Sequence, residues 1–133
     1  MSFLRTMRDD GVIESRIQGR VNLDDIQAHI HAIAAMAEGR KEFYEILVHE
    51  FGSFMDVEPD DLPLMEELSK TFLGHWNSGA IAFVAENDLS NAMCTQIAAR
   101  VEPALSIRFQ VFSDVEEAER WINLMKEYGH RTV

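Results

Sequence analysis

One short apolar run, at residues 80–85, constrains the fold of this chain more than any other stretch. Its six residues, AIAFVA, include no polar side chain, so the run lacks the alternation of a half-exposed strand. A run of this kind is typical of a strand that is covered on both faces, as in a parallel sheet. The run ends at Glu86, and apolar residues then recur at every fourth position, which predicts a helix with one buried face. These positions are Leu89, Met93, Ile97 and Val101, with Ala92 beside them.

The patterns around this strand and helix continue the alternation of strands and helices. The turn Asp9-Asp10-Gly11 separates strand-like residues 3–7 and 12–21, which predicts an N-terminal hairpin at a sheet edge. Other predicted elements are helices after Asn22, at Asp60 or Asp61, and from the Ser113-x-x-Glu116 capping box to Gly129, and strands over residues 43–51 and 105–112. The order ββαβαβαβα predicts an α/β fold, a mixed and mostly parallel β-sheet flanked by helices, in a single domain over residues 1–133.

Composition narrows the classes of partner. The chain has 133 residues, of which 47% are hydrophobic, and its 23 acidic and 12 basic residues give a formal net charge of -11. Because nucleic-acid binding depends on clustered lysine and arginine, this balance argues against a nucleic-acid partner. No apolar run is long enough for an integral membrane segment, and the N-terminus has no stretch of signal-peptide type. We therefore expect a cytoplasmic protein.

The sequence offers little support for a metal site or a nucleophile. Cys94 is the single cysteine, and its place inside the predicted helix favours a small buried thiol over an activated one. His29 and His31 are two positions apart on a predicted helix and point in different directions, so they cannot hold a metal together. His49 and His75 are isolated in the sequence. We therefore expect no metal and no cofactor.

Two carboxylates remain as candidates for acid–base catalysis. Glu50 and Glu86 both follow predicted core strands, and two carboxylates that meet in a cleft can exchange protons with a substrate. Side chains at such positions more often contact water or cap helices. No Gly-x-Ser-x-Gly elbow and no glycine-rich phosphate loop is found, so no catalytic residue is assigned.

The carboxyl ends of the predicted strands are the expected place for activity, because ligands of open α/β sheets collect there. Aromatic and Met side chains near residue 54 would form apolar walls around an open pocket, or else they would seal the core. The candidate binding residues are Phe51, Gly52, Ser53, Phe54, Met55, Trp76, Glu86, Asn87, Asp88, Ser113 and Asp114.

Two segments resemble one known family. Residues 80–93, AIAFVAENDLSNAM, and residues 107–122, IRFQVFSDVEEAERWI, look like the SpoIIAA-like branch of the STAS-like domains. The similarity extends over most of the chain, and its motifs are mainly capping and packing residues. It implies a mixed sheet flanked by helices, related in shape to anti-sigma-factor antagonists and to CRAL-TRIO lipid-transfer domains.

The resemblance also raises the question of phosphorylation. The antagonists carry a phosphorylatable serine in an Asp-Ser-Ser-Gly-like turn, whereas this chain has Glu50-Phe51-Gly52-Ser53-Phe54 at the matching place. Ser53 is thus a candidate phospho-acceptor that lacks the preceding aspartate. The acidic loop around it would repel an added phosphate.

Three hypotheses about function follow. The first is a non-enzymatic, STAS-like regulatory or interaction module that presents its strand-end loops to an unknown protein partner. The second is a binder of a small hydrophobic or lipid-like ligand at the carboxyl ends of the strands, and the third is an enzyme that uses Glu50 or Glu86. A homodimer is also credible, because the N-terminal hairpin would leave a sheet edge unpaired.

Overall fold

The computed structural model of the chain describes residues 2–128, which form one central sheet with helices on both faces. The strands are β1 (Ser2–Met7), β2 (Ile13–Gln18), β3 (Arg20–Val21), β4 (Phe43–His49), β5 (Phe54–Met55), β6 (Gly79–Ala85) and β7 (Arg108–Phe112). The helices are α1 (Leu23–Met36), α2 (Leu62–Leu73), α3 (Asp88–Val101) and α4 (Val115–Tyr128), and short 3-10 turns cover Pro59–Asp61 and Glu102–Ala104. The predicted end of the last helix at Gly129 lies outside the described residues.

The main sheet has the strand order β1-β2-β4-β6-β7. β1 is antiparallel to β2, and every other neighbouring pair is parallel, so the predicted mixed and mostly parallel sheet is confirmed. The predicted hairpin is also confirmed, and it places β1 at one edge. A small parallel pair of β3 and β5 was not predicted; the chain turns at Gly19, whose φ of 83° favours glycine, and so Arg20 and Val21 leave the line of β2.

The central strand is buried on both faces, as the apolar run predicts. Ala80, Ala82 and Val84 of β6 belong to a core shared with α4, while the alternate residues of the strand face the layer of α1, α2 and α3. All residues from 80 to 85 are buried. Because one helix covers one face and three helices cover the other, the molecule has two separate cores.

The buried face of α3 differs from the prediction near its N-terminus. The inward residues are Ser90, Cys94, Ile97 and Val101, whereas Leu89 is 66% exposed. The Asn87 side chain accepts a hydrogen bond from the backbone N–H of Ser90 at 2.7 Å, and the helix therefore starts at Asp88. That start turns Leu89 towards solvent, so the predicted position of Leu89 in the core is wrong.

Smaller differences occur at three other elements. The sequence pattern predicts a buried face of α2 made of Leu64, Met65, Leu68 and Phe72. The helix instead buries Met65, Ser69 and Leu73, and Leu64 is exposed. α4 is capped by Asp114, whose Oδ1 accepts from the backbone N–H of Glu117 at 2.8 Å, so the capping residue follows the predicted Ser113 by one position. β7 begins at Arg108 rather than Leu105, because the 3-10 turn at Glu102–Ala104 delays the strand.

Candidate functional site

A cavity lies between the sheet and the layer of α1, α2 and α3. About 70 Å³ of it is accessible to the centre of a water molecule. Most of the side chains around it are aliphatic, aromatic or sulfur-containing, and they include Ile17, Ile26, Leu47, Met55, Met65, Phe83, Cys94, Ile97 and Phe109. The polar side chains that line it are His29, Glu45, His49 and Ser69, and all four are buried. Buried polar groups require hydrogen-bond partners, and the hydrogen bonds around these side chains define the candidate site.

Glu45 is at the centre of a buried hydrogen-bonded chain. Its side chain lies on the strand β4, and the residue is only 1% exposed. Ser15 Oγ donates to Glu45 Oε2 at 2.8 Å, and His29 Nε2 lies 2.8 Å from the same oxygen. Arg5 Nε donates to His29 Nδ1 at 2.9 Å. An isolated buried carboxylate is very unfavourable, so this chain of donors is what permits Glu45 in the core.

The geometry determines the protonation of His29. An arginine side chain only donates hydrogen bonds, so His29 Nδ1 accepts and carries no proton. The proton is then on Nε2, which donates to the Glu45 carboxylate. His29 is therefore neutral, and the positive charge that balances Glu45 is on Arg5 at the other end of the chain. Burial lowers the pKa of Arg5, and the Glu45 carboxylate opposes this effect.

Phe3, on the edge strand β1, covers the hydrogen-bonded chain that runs from Arg5 through His29 to Glu45. Its ring stacks on the His29 imidazole, with centroids 4.6 Å apart and planes 12° from parallel. The Arg5 guanidinium carbon lies 4.7 Å from the centroid of the same ring. Stacking and cation–π contacts of this kind hold Arg5 and His29 in their orientation.

A second buried pair, His49 and Cys94, lies beside this chain. Cys94 Sγ is 3.4 Å from His49 Nε2, and both residues line the cavity. His49 Nδ1 has no hydrogen-bond partner, although the residue is only 4% exposed. Burial lowers the pKa of His49 to about 4 and raises the pKa of the Cys94 thiol to about 12. Both groups are therefore neutral near pH 7, and Cys94 is the buried thiol that the sequence predicts.

The strand ends form a different kind of surface. Phe51 is 89% exposed and Phe54 is 45% exposed in the segment that follows β4, and Leu89 is 66% exposed in the first turn of α3. We call Phe51, Phe54 and Leu89 the strand-end surface. All three follow the carboxyl ends of the adjacent parallel strands β4 and β6, as expected for the site of activity in such a sheet.

The other candidate residues of the segment after β4 have separate places. Gly52 forms the turn with a φ of 86°, which favours glycine. Met55 is half-buried and lines the cavity. Ser53 is only 6% exposed, and its Oγ is enclosed without a hydrogen-bond partner. A kinase would have to open the loop to reach this hydroxyl.

Trp76 does not wall the strand-end region, so that expectation is corrected. Its indole packs against Phe43, the first residue of β4, with ring centroids 5.1 Å apart. Its Nε1 donates to the backbone oxygen of Arg40 at 3.0 Å. Trp76 therefore lies at the amino ends of the strands, because the link from α2 enters β6 on that side of the sheet.

The polar strand-end residues are exposed or cap helices. Glu86 and Asp88 are exposed, and Asn87 caps α3. Ser113 and Asp114 are exposed after β7, where Asp114 caps α4. The two carboxylates considered for catalysis differ as well, because Glu50 accepts from Arg16 Nη1 at 3.0 Å, whereas Glu86 faces solvent.

The buried polar chain was missed from the sequence, although one signal for it exists. Glu45 and His49 are four positions apart in the apolar segment of β4, so they face the same side of the strand. His29 interrupts the isoleucine face of α1. Polar residues on otherwise apolar faces indicate a buried network.

Two kinds of feature are absent from residues 2–128. No group of three or more His, Cys, Asp or Glu side chains in this part of the chain is arranged to hold a metal ion. No helix within it combines the length and the hydropathy needed to cross a membrane.

Comparison with known proteins connects this architecture to one family. A family model described as SpoIIAA-like matches residues 12–123, which is most of the 133-residue chain. The matched segment runs from the start of β2 into α4 and so includes the four parallel strands and the helices that cover them. The comparisons with curated proteins and with solved structures gave no match.

Proposed function

The chain belongs to the SpoIIAA-like family, and we propose that it is a non-enzymatic regulatory module that binds a protein partner through the strand-end surface. Membership of the family supports a STAS-type regulatory or interaction module in general terms. The identity of the surface and the chemistry of the partner are our proposal.

The exposure of Phe51 carries the proposal. A phenylalanine that is 89% exposed keeps almost its whole ring in water, and burying such a ring is worth roughly 1.5–3 kcal/mol. Leu89 and Phe54 add exposed apolar area after the adjacent strands. α3 contacts β5, the two-residue strand that contains Phe54. Exposed apolar side chains at the strand ends of a rigid sheet are typical of interaction sites.

Charge indicates the chemistry of the partner. Arg16 pairs with Glu50 and Arg20 pairs with Asp56 at this end of the sheet. Glu86 and Asp88 add exposed carboxylates next to Leu89, and the net charge of the chain is -11. The proposed partner therefore presents apolar anchors flanked by lysine or arginine, and its association rate should fall as salt rises.

A photo-crosslinking experiment tests this proposal. A photoreactive phenylalanine analogue is introduced at Phe51 in the full chain and irradiated in cells that produce the protein. The matched control has the analogue at Leu124, which is 47% exposed on α4, away from the strand-end surface. We expect one discrete protein adduct from position 51 and none of the same mass from position 124.

Substitution separates a specific contact from chance capture. F54S and L89S remove exposed apolar groups and leave both cores intact, so the melting temperature should stay within about 2 °C of wild type because the altered sites lie on the surface. Together they should reduce the adduct at least tenfold. An adduct that forms equally from position 124, or that survives both substitutions, would contradict the proposal.

The cavity favours a second candidate function, the binding of a small molecule. Met55 connects the cavity lining to the strand ends, which are the place expected for an apolar ligand. The available 70 Å³ is about half of the roughly 150 Å³ cavity that holds a benzene molecule, so a lipid chain does not fit this conformation. The candidate ligand is therefore much smaller than a lipid.

Two further expectations remain part of the proposal, and a third does not. A cytoplasmic location is checked by cell fractionation. Self-association through the edge strand β1 is checked by light scattering. Regulation by phosphate at Ser53 is not included, because its hydroxyl is enclosed.

A further inference from the structure

The outer edge of β1 is open for backbone pairing. Within residues 2–128, β1 lies at the end of the main sheet and pairs with β2 alone. The strand is six residues long, and it contains no proline, lysine or acidic residue. Residues of these types are among the means by which edge strands avoid pairing with another chain. Its one charged side chain, Arg5, is held by a hydrogen bond to His29 of α1.

The hydrogen bonds of the hairpin show which backbone groups of β1 face outwards. The N–H of Arg8 donates to the backbone oxygen of Val12 at 2.9 Å, so these residues form a hydrogen-bonded pair of the antiparallel ladder. Such pairs alternate with non-hydrogen-bonded pairs along the strand, so Thr6 and Leu4 bond to β2. The N–H and C=O groups that point away from β2 are those of Phe3, Arg5 and Met7.

Leu4 gives the same edge an exposed apolar side chain. Phe3 and Arg5 both contact His29 of α1, so Leu4, which lies between them, points to the opposite face of the sheet. On that face α4 packs on β4, β6 and β7, and Leu4 is 67% exposed. A partner strand at this edge would therefore bury backbone polar groups and an apolar side chain together.

The composition of β1 favours a second copy of this chain as the partner. Two copies repel each other in general, because each has a net charge of -11. Because β1 has no carboxylate, two copies can approach at this strand without placing acidic groups opposite each other. Two antiparallel copies are also self-complementary, because each outward N–H of one strand can donate to an outward C=O of the other.

The possible registers differ in which residue meets its own copy. A twofold axis at Arg5 would place two guanidinium groups directly opposite each other, which is unfavourable. An axis at Thr6 would place Leu4 opposite Arg8. An axis at Leu4 brings two leucine side chains together in a non-hydrogen-bonded pair, where the Cα atoms are about 4.5 Å apart. It also makes Phe3 of each copy a hydrogen-bonded pair with Arg5 of the other.

We propose that two copies of the chain pair through β1 in antiparallel orientation, with Leu4 opposite the partner's Leu4. The two five-stranded sheets then become one continuous sheet. The partner's Phe3 lies beside Arg5 on the face that carries His29, so each copy covers the Arg5 end of the other's buried hydrogen-bonded chain. One strand pair buries less than the roughly 1,200–2,000 Å² of a standard interface, so the dimer should exchange with monomers.

Pairing through β1 builds on the self-association expected under the proposed function, and it adds the register and the contacts across the axis. It uses no residue of the strand-end surface. Crosslinking at Phe51 and pairing at Leu4 can therefore succeed or fail separately.

Disulfide trapping in the full chain tests the register. L4C would bring two cysteines to a Cα separation of about 4.5 Å, which is within the roughly 4.4–6.8 Å range of disulfides. Diamide oxidises the two thiols to a disulfide and takes up the two electrons and two protons. We expect a covalent dimer of L4C. Wild type should give none, because its single cysteine, Cys94, is buried.

T6C is the matched control for L4C. It lies on the same strand and points to the same face of the sheet. In the proposed register Thr6 is opposite residue 2 of the partner, so the two Thr6 residues are separated by four positions, about 14 Å at about 3.4 Å per residue. We expect at least tenfold more covalent dimer from L4C than from T6C.

Sedimentation velocity measures the pairing without a covalent bond. For wild type, the mass should rise with concentration towards that of two chains. L4K places like charges opposite each other at the axis and should raise the dissociation constant at least tenfold. Q110K adds the same charge at an exposed position of β7, the other edge strand, and should leave the dissociation constant unchanged. Circular dichroism checks that both variants fold.

NMR of a mixture of 13C-labelled and unlabelled chains tests the contact across the axis, because isotope filters select contacts between copies. We expect a contact between Arg5 and the partner's Phe3.

Four results would overturn the inference. These are a wild-type mass of one chain at every concentration, equal trapping of T6C and L4C, a dissociation constant that L4K leaves unchanged, and no contact between copies at Arg5. A monomer that instead binds an extended segment of another protein along β1 would assign the edge to a different partner.

Discussion

The two faces of the central sheet use the same strands and differ in chemistry. Towards α4, β4 presents Tyr44, Ile46 and Val48, and these pack with Ala118 and Ile122. Towards α1, α2 and α3, the same strand presents Phe43, Glu45, Leu47 and His49. The first face is a core of apolar side chains. The second contains the hydrogen-bonded chain around Glu45 and a cavity.

The difference shows how a small domain can hold polar groups in its interior. Successive side chains of a strand point to opposite faces, so one strand can contribute apolar residues to one core and polar residues to the other. The burial of apolar side chains on the α4 face stabilises the fold, and it does not depend on the protonation of Glu45 or His49. The other face can therefore contain groups that respond to a ligand or to protons.

The largest expected effect comes from removing the carboxylate of the polar face. E45A leaves the His29 N–H and the Ser15 hydroxyl without an acceptor and the Arg5 charge without its counter-charge. Each buried donor left unsatisfied costs about 1–3 kcal/mol, so with two such donors we expect a loss of about 3–5 kcal/mol of the free energy of unfolding. Urea denaturation followed by circular dichroism measures it.

E45Q is the matched control for that experiment. Both donors meet one oxygen, Oε2, which a glutamine amide oxygen can replace. E45Q should therefore retain at least half of the stability that E45A loses. Equal losses in the two variants would show that charge rather than hydrogen bonding dominates this face.

Acid should destabilise the folded protein, because His49 on the polar face resists protonation. Burial lowers the pKa of His49 to about 4 in the folded protein, against an ordinary value of 6.5. Between these pH values the unfolded chain binds a proton that the folded protein refuses, so stability falls as pH falls from about 6.5 to about 4. At about 1.36 kcal/mol for each pKa unit, the loss is about 3 kcal/mol. Below pH 4 this residue adds no further loss.

Urea denaturation at several pH values tests the sign and the size of this effect. H49Q should flatten the fall between pH 6.5 and pH 4, whereas H31Q, at an exposed position of α1, should follow wild type. A wild-type curve that H49Q does not change would mean that the carboxylates alone account for acid unfolding.

A pair of equal truncations compares how tightly the two faces are packed. Ile122 is fully buried on the α4 face, whereas Ile97 lines the cavity. Ile-to-Ala substitutions in cores cost about 2–5 kcal/mol, and a side chain beside an existing void has fewer contacts to lose. We expect I122A to cost about 1 kcal/mol more than I97A in urea denaturation. The opposite order would mean that the cavity is filled in solution.

The sequence predicted the frame of the molecule well because the frame depends on local patterns. The run at residues 80–85 predicted a strand covered on both faces, and the predicted helix after Asn22 starts there, with Asn22 as its cap. The order of strands and helices then restricted the sheet to a mostly parallel one. Spacing and capping are encoded within a few residues, so one sequence is enough to recognise them.

The candidate site depended on contacts that the sequence does not show. Glu45 is 16 positions from His29 and 30 from Ser15, so their pairing arises only when α1 packs on the sheet. Leu89 illustrates the other limit, because a helix that starts at Asp88 turns it outwards. Phe51 was correctly placed at a strand end, but its exposure depends on the turn at Gly52.

The smallest expected effect also distinguishes the two faces most sharply, because its sign is opposite to that of ordinary core substitutions. H49L replaces the imidazole with an aliphatic side chain of similar size. It therefore removes the cost of leaving Nδ1 without a hydrogen-bond partner. The Cys94 thiol loses only a weak partner. We expect the free energy of unfolding at pH 7 to rise by up to about 1 kcal/mol. The control variant I46N places an amide among the apolar side chains of the α4 face. It should lower the free energy of unfolding by roughly 2 kcal/mol or more, as other unpaired buried polar groups do. A clear loss of stability in H49L would show that His49 Nδ1 has a hydrogen-bond partner in solution.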